Sequence, residues 1–105
     1  MFNESGIYLH LLFNEKNIYC EEFEQVVLGL LIIDSEIRNY YISDYTKDSF
    51  NNKHHQIIFS IIEQLHNENE EIDLLDIIFK LDDNDRLKEI GGSDYIVSIM
   101  DISTK

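Results

Sequence analysis

From Glu21 onward the apolar positions recur with a helical period. Phe23, Val26, Val27, Leu30 and Leu31 fall at i, i+3, i+4, i+7 and i+8, the stripe by which a helix faces a core. Leu28, Ile32 and Ile33 fill the other side, so the second half of this helix is apolar all round. Such a helix belongs in the centre of a bundle. Gly29 costs about 1 kcal/mol against alanine in a helix interior. Its expected use is close approach of a neighbouring helix. Asp34-Ser35 reads as a stop followed by an N-cap.

A short helix then carries Ile37, Tyr40 and Tyr41. Residues 44–52 form a polar connection interrupted by Tyr45 and Phe50. The next helix presents His54, Ile58, Ile61, Ile62 and Leu65 on one face. Residues 67–71 are an acidic loop. Asp73 is an expected N-cap, with Asp76 completing an approximate capping box. Leu74, Ile77, Ile78 and Leu81 give the following stripe, which Asp82-Asp83-Asn84-Asp85 breaks. A single turn over 86–90 leads to Gly91-Gly92, where a positive φ ends a helix. Ser93 then caps a last helix carrying Tyr95, Ile96, Ile99 and Ile102.

The chain ahead of Glu21 is different. Residues 7–13 (IYLHLLF) are apolar without a clear period, and at this length helix and strand both remain open. Residues 14–17 read as a loop. The sequence therefore divides into a segment 1–20, whose order it does not decide, and a helical domain 21–105. There is no internal repeat and no Gly/Ser-rich linker. Five or six short helices with short connections predict an all-α, compact orthogonal bundle.

Composition narrows the class. The chain has 105 residues, enough for one domain. Asp and Glu number 21 and Lys and Arg 8, for a formal charge of −13. A disordered acidic tail is excluded by 17 isoleucines and 12 Phe or Tyr. Eight cations against 21 anions cannot supply the counterion release that a broad nucleic-acid-gripping face needs. The single Cys20 permits no internal disulfide and no Cys-based zinc site, which favours a reduced, cytoplasmic setting. The longest clean apolar run, 26–33, falls far short of the roughly 18 to 20 residues of a membrane helix. Glu4 precedes any Lys or Arg, so no signal peptide is expected. Proline and alanine are both absent. The helices are built from Ile, Leu and Glu, and tertiary packing must stabilise them. The skew towards Ile, Asn, Asp, Glu and Lys is of the kind that an AT-rich genome produces.

Four segments, in order, carry a family resemblance. The first is Glu22-Phe23-Glu24-Gln25-Val26-Val27-Leu28-Gly29-Leu30-Leu31. The second is Phe50, four residues of connection, then His55-Gln56-Ile57-Ile58-Phe59. The third is Ile72-Asp73-Leu74, opening a helix after an acidic loop. The fourth is Leu87-Lys88-Glu89-Ile90-Gly91-Gly92 followed by Tyr95, Ile96 and Ile99. Each is weak alone. Together, at these spacings, the chain resembles the N-terminal domain of DnaB-type replicative DNA helicases. It departs from that family in lacking proline before the first helix and near the third. Phe23 stands where Ala is usual, and residues 7–13 have no clear counterpart. These departures suggest a divergent member.

The resemblance implies a non-catalytic role in assembly and protein interaction. In that family the domain forms the collar of the helicase hexamer, pairing subunits into a trimer of dimers. It also contributes to docking of the C-terminal domain of primase. The implied partners are other helicase subunits and that primase domain, with no tight nucleic-acid binding and no membrane. ATP hydrolysis belongs to a separate RecA-like domain, so no cofactor is expected in this segment. The family's helical hairpin would follow Lys105, and without it self-association is expected to be weak.

The residues themselves offer little chemistry. There is no G-x-x-x-x-G-K-[ST] loop. His54 and His55 are adjacent and point to different faces, so they cannot chelate as an i, i+4 pair. His55 is expected to pack or cap. His66-Asn67-Glu68 has half of a zinc-deaminase signature and lacks the Pro-Cys-x-x-Cys half. Residues 82–85 fail the calcium-loop pattern, with Leu87 and Ser93 at its sixth and twelfth positions. Cys20 has Glu21 and Glu22 beside it, which oppose ionisation. No catalytic, cofactor or metal residue is expected. Tyr40, Tyr41 and Tyr45, three tyrosines on one short segment, are candidates for a partner-binding surface or for core packing.

Two alternative functions stand beside this one. One is a free-standing adaptor or decoy on the same fold that binds helicase or primase, which would employ the apolar residues 7–13. The other is an acidic DNA mimic, but the anions are scattered and trace no phosphate-like line.

Overall fold

Five α-helices follow one another without a strand among residues 21–68 and 71–103, which are the residues described in the computed structural model. They are α1 (Glu21–Ile33), α2 (Ser35–Tyr41), α3 (Lys53–Asn67), α4 (Leu74–Asp83) and α5 (Ser93–Ser103). Two 3-10 turns, Ile42–Asp44 and Lys47–Ser49, bridge α2 to α3. The apolar segment 7–13, the expected loop 14–17 and Cys20 lie outside the described residues, as does part of the expected loop 67–71. Among the described residues no helix is long and apolar enough to cross a membrane.

The expected central helix is central: α1 packs against α2, α3 and α5, most extensively against α5. Its buried stripe, however, is displaced by one residue. Val27, Leu28, Leu31 and Ile32 are buried, and the stripe begins at buried Glu24 rather than at Phe23. Phe23 is exposed, and Val26 and Leu30 are half-buried. One residue is a rotation of about 100°. Glu24 turns inward because its carboxylate meets the Asn51 and Asn52 N–H groups just ahead of α3 and His55 on it.

Gly29 does what the sequence suggested. A Cβ there would overlap the Ser103 side chain and come within 2.9 Å of the Ile99 carbonyl, both on α5. Ser103 Oγ donates into the gap, lying 3.2 Å from the Val26 carbonyl and 3.0 Å from the Ile99 carbonyl.

The break after α1 is made by Asp34 alone. Its N–H closes the last turn on the Leu30 carbonyl at 2.9 Å. Its Oδ1 accepts from the N–H groups of Glu36 and Ile37, so Asp34 and not Ser35 is the N-cap of α2. Arg38 reaches back, and Nη1 donates to the Leu31 and Ile32 carbonyls at 2.9 and 3.2 Å. These are orphan acceptors at the C-terminal end of α1, where a cation is favourable. Burial lowers the Arg38 pKa from its usual value, and Asp34 opposes the shift.

In α3 the buried histidine is His55. His54, expected on the core face, is exposed, and Asn52 caps the helix through the N–H groups of both. The Asp73–Asp76 capping box forms as expected at α4. Residues 86–90 make a single turn closed by the Ile90 N–H on the Arg86 carbonyl. Gly91 and Gly92 follow at φ 106° and 79°, both in the region that favours glycine. Ser93 is the first residue of α5 rather than the residue before it. Ile96 and Ile99 are buried, whereas Ile102 points outward.

Candidate functional site

Two features stand out: a polar network inside the bundle and a cleft on its surface. The network starts at Glu24. Its Oε2 accepts from the Asn51 N–H at 3.0 Å, and its Oε1 from the Asn52 N–H at 3.2 Å. The carboxylate therefore sits against the start of α3, where the helix dipole favours negative charge. Oε1 also faces His55 Nδ1 at 2.8 Å, and His55 Nε2 faces the Tyr95 hydroxyl at 2.6 Å. Gln25 Nε2 donates to the same hydroxyl at 3.1 Å. One proton arrangement satisfies every group: Nδ1–H donates to Glu24, and the Tyr95 O–H donates to Nε2 while its oxygen accepts from Gln25. Burial raises the Tyr95 pKa, Gln25 opposes this, and Glu21 and Glu24 add to it.

A Glu–His–Tyr chain has the groups of a proton relay, but its placement is that of a clasp. The His55 side chain is 0% exposed and both ring nitrogens are occupied. Its three members come from α1, α3 and α5 and tie those helices together. All three lie in separate sequence motifs, and nothing in their spacing signals that they meet.

The cleft runs along the outer face of α3 and encloses about 460 Å³. Ile57 and Ile61 line it, together with the polar Gln56, Ser60 and Gln64. Lys47 comes from the second 3-10 turn, Lys53 from the first residue of α3, and Arg86 from the connection after α4. Arg86 is paired with Glu89, which also lines the cleft, at 2.9 Å between Nε and Oε1. Lys47 and Lys53 make no ion pair among the described residues. Asn84 lines the cleft, while its acidic neighbours Asp83 and Asp85 do not. Six of the eight cations lie among the described residues, and three of those six gather here.

A second, smaller hollow of about 250 Å³ lies between α4 and α5, lined by Leu74, Val97, Met100 and Asp101. Leu75 and Phe79 on α4 and Val97 on α5 are exposed large hydrophobics.

The three tyrosines part company. Tyr40 is 60% exposed, whereas Tyr41 and Tyr45 are buried in the core cluster, their rings stacked at 6.5 Å. Burial raises the pKa of both. A partner can reach only Tyr40 without moving the core. Among the described residues, no group of three or more His, Cys, Asp or Glu is arranged to hold a metal ion.

Comparison with known proteins places this arrangement. The model of the DnaB-like helicase N terminal domain family matches residues 16–105. The replicative DNA helicase DnaB of Synechocystis sp. is 28% identical over 80 residues, covering 76% of this chain and 9% of that protein. The chain thus spans a small part of the length of that relative. The crystal structure of the N-terminal domain of DnaB helicase from Mycobacterium tuberculosis has the same fold, with a TM-score of 0.71 at 24% identity. That match covers 75% of this chain and 55% of the other.

Proposed function

The chain belongs to the DnaB-like helicase N-terminal domain family, and from that premise we propose that residues 21–105 act as a non-catalytic assembly and docking domain in DNA replication. In this reading it contributes to the collar of a helicase hexamer and to docking of the C-terminal domain of primase. The observation that carries the reading is the family match over 16–105, joined to the shared fold. The polar network supports it, because the histidine with the groups for proton chemistry is sealed inside the bundle. The surface supports it too. Leu75, Phe79 and Val97 offer apolar area of the kind that marks protein contacts. A net charge of −13 opposes a grip on DNA. The domain acts in the cytoplasm, with no cofactor of its own.

Calorimetric titration of the chain with the C-terminal domain of primase tests the docking role. Saturable heat is expected. No heat at any accessible concentration contradicts the primase part of the proposal.

A further inference from the structure

We propose that the cleft on the outer face of α3 is a docking site for a short acidic, partly apolar peptide segment of a partner protein. In a chain carrying −13, Lys47, Lys53 and Arg86 converge on one cleft from three separate parts of the fold. Two of them lack an anionic partner among the described residues. Unpaired lysines beside a cleft favour carboxylates, and the field is focused by its low-dielectric walls.

The lining adds the second requirement. Ile57 is half-buried and Ile61 is buried, so the cleft offers an apolar floor beside the cations. A ligand that used the cations alone would leave this floor wet. One that alternates acidic and aliphatic side chains satisfies both. From Lys53 to Gln64 the helix advances about 16 Å, the reach of roughly five extended residues.

Length separates a peptide from a nucleic acid. At physiological salt, exposed charges are screened beyond about 8 Å. A short acidic peptide stays inside the reach of the three cations. A nucleic-acid strand runs past them over an acidic surface, and three cations release too few counterions to hold it. The proposal goes beyond the assembly role and fails separately from it, because helicase or primase contact elsewhere on the domain leaves the cleft untouched.

The test is a titration of the isotopically labelled chain, followed by amide resonances. The probe is an N-acetylated, C-amidated hexapeptide of alternating Asp and Leu. Controls are the Asn-for-Asp peptide, an oligothymidine strand, and the double variant Lys47→Glu, Lys53→Glu. Both lysines are exposed, so the variant should fold, which its unchanged melting temperature will verify. If it does not, Lys47→Gln with Lys53→Gln replaces it. Saturable shifts are expected at Lys53, Ile57 and Arg86, about tenfold weaker for the variant and for the Asn peptide. Oligothymidine should give no saturable shift. The proposal is overturned by no shifts at millimolar peptide, by equal affinity of the variant or the Asn peptide, or by tighter binding of oligothymidine.

Discussion

Glu24 of α1 and His55 of α3 meet inside the bundle, carboxylate oxygen to ring nitrogen, at 2.8 Å. The same carboxylate accepts two backbone N–H groups at the start of α3. One acidic side chain thus fixes the position and the rotation of two helices.

Removing it should be costly. Glu24→Ala strands the His55 Nδ1–H and two backbone donors, and a lost buried partner costs about 2–4 kcal/mol. Glu24→Gln retains one acceptor oxygen and should lose less. Urea unfolding of the two variants against the parent checks the order. Equal midpoints would show that the network does not hold the fold together.

Gly29→Ala should destabilise despite its gain in helix propensity. Alanine is favoured by about 1 kcal/mol within a helix. Overpacking against Ser103 and the Ile99 carbonyl costs about 1–3 kcal/mol, and the backbone carbonyl cannot swing aside. A thermal melt should show a lower transition temperature. A higher one would mean that α5 can retreat from α1 freely.

Tyr40→Ala should leave stability within about 0.5 kcal/mol of the parent, as an exposed substitution does. Tyr41→Ala and Tyr45→Ala each remove a buried ring and should cost about 3–5 kcal/mol. Denaturation midpoints separate the two outcomes. Only Tyr40→Ala can then report on partner binding without also damaging the fold.

Alkaline pH should unfold the domain through its tyrosines. Tyr41, Tyr45 and Tyr95 are each held above the usual value of 10.0, chiefly by burial. In the unfolded chain they lose protons from about pH 10, while the folded chain keeps them. The unfolded state then binds fewer protons, so stability falls as pH rises. It is unaffected by these groups below pH 10 and declines through the raised folded values. The tyrosinate absorbance of these three should rise together with the loss of far-ultraviolet dichroism. Ionisation of all tyrosines near pH 10 with the helices intact would contradict this.

The helices were legible because their apolar stripes and caps are local. Asp73 with Asp76, the stop at Asp34 and the positive φ of Gly91 and Gly92 each need only a few neighbours in sequence. The phase of α1 was not legible. A rule that places acids outside puts Phe23 inward, and only contact with α3 reveals that Glu24 is the inward residue. His55 packs as expected, but the stripe also put His54 inward, and only contact with Glu24 and Tyr95 shows that His55 alone is the buried one. The cleft was invisible in sequence. Lys47, Lys53 and Arg86 belong to no motif, and only the packing of the connection after α4 near α3 gathers them.

The proposed function has this domain docking proteins of the replication machinery rather than gripping DNA. Sedimentation of the fluorescently labelled chain with intact DnaB-type helicase, with primase and with duplex DNA separates the two. The label is expected to move with helicase or with primase and to stay slow with duplex. Salt-sensitive co-sedimentation with duplex, and none with either protein, would contradict it.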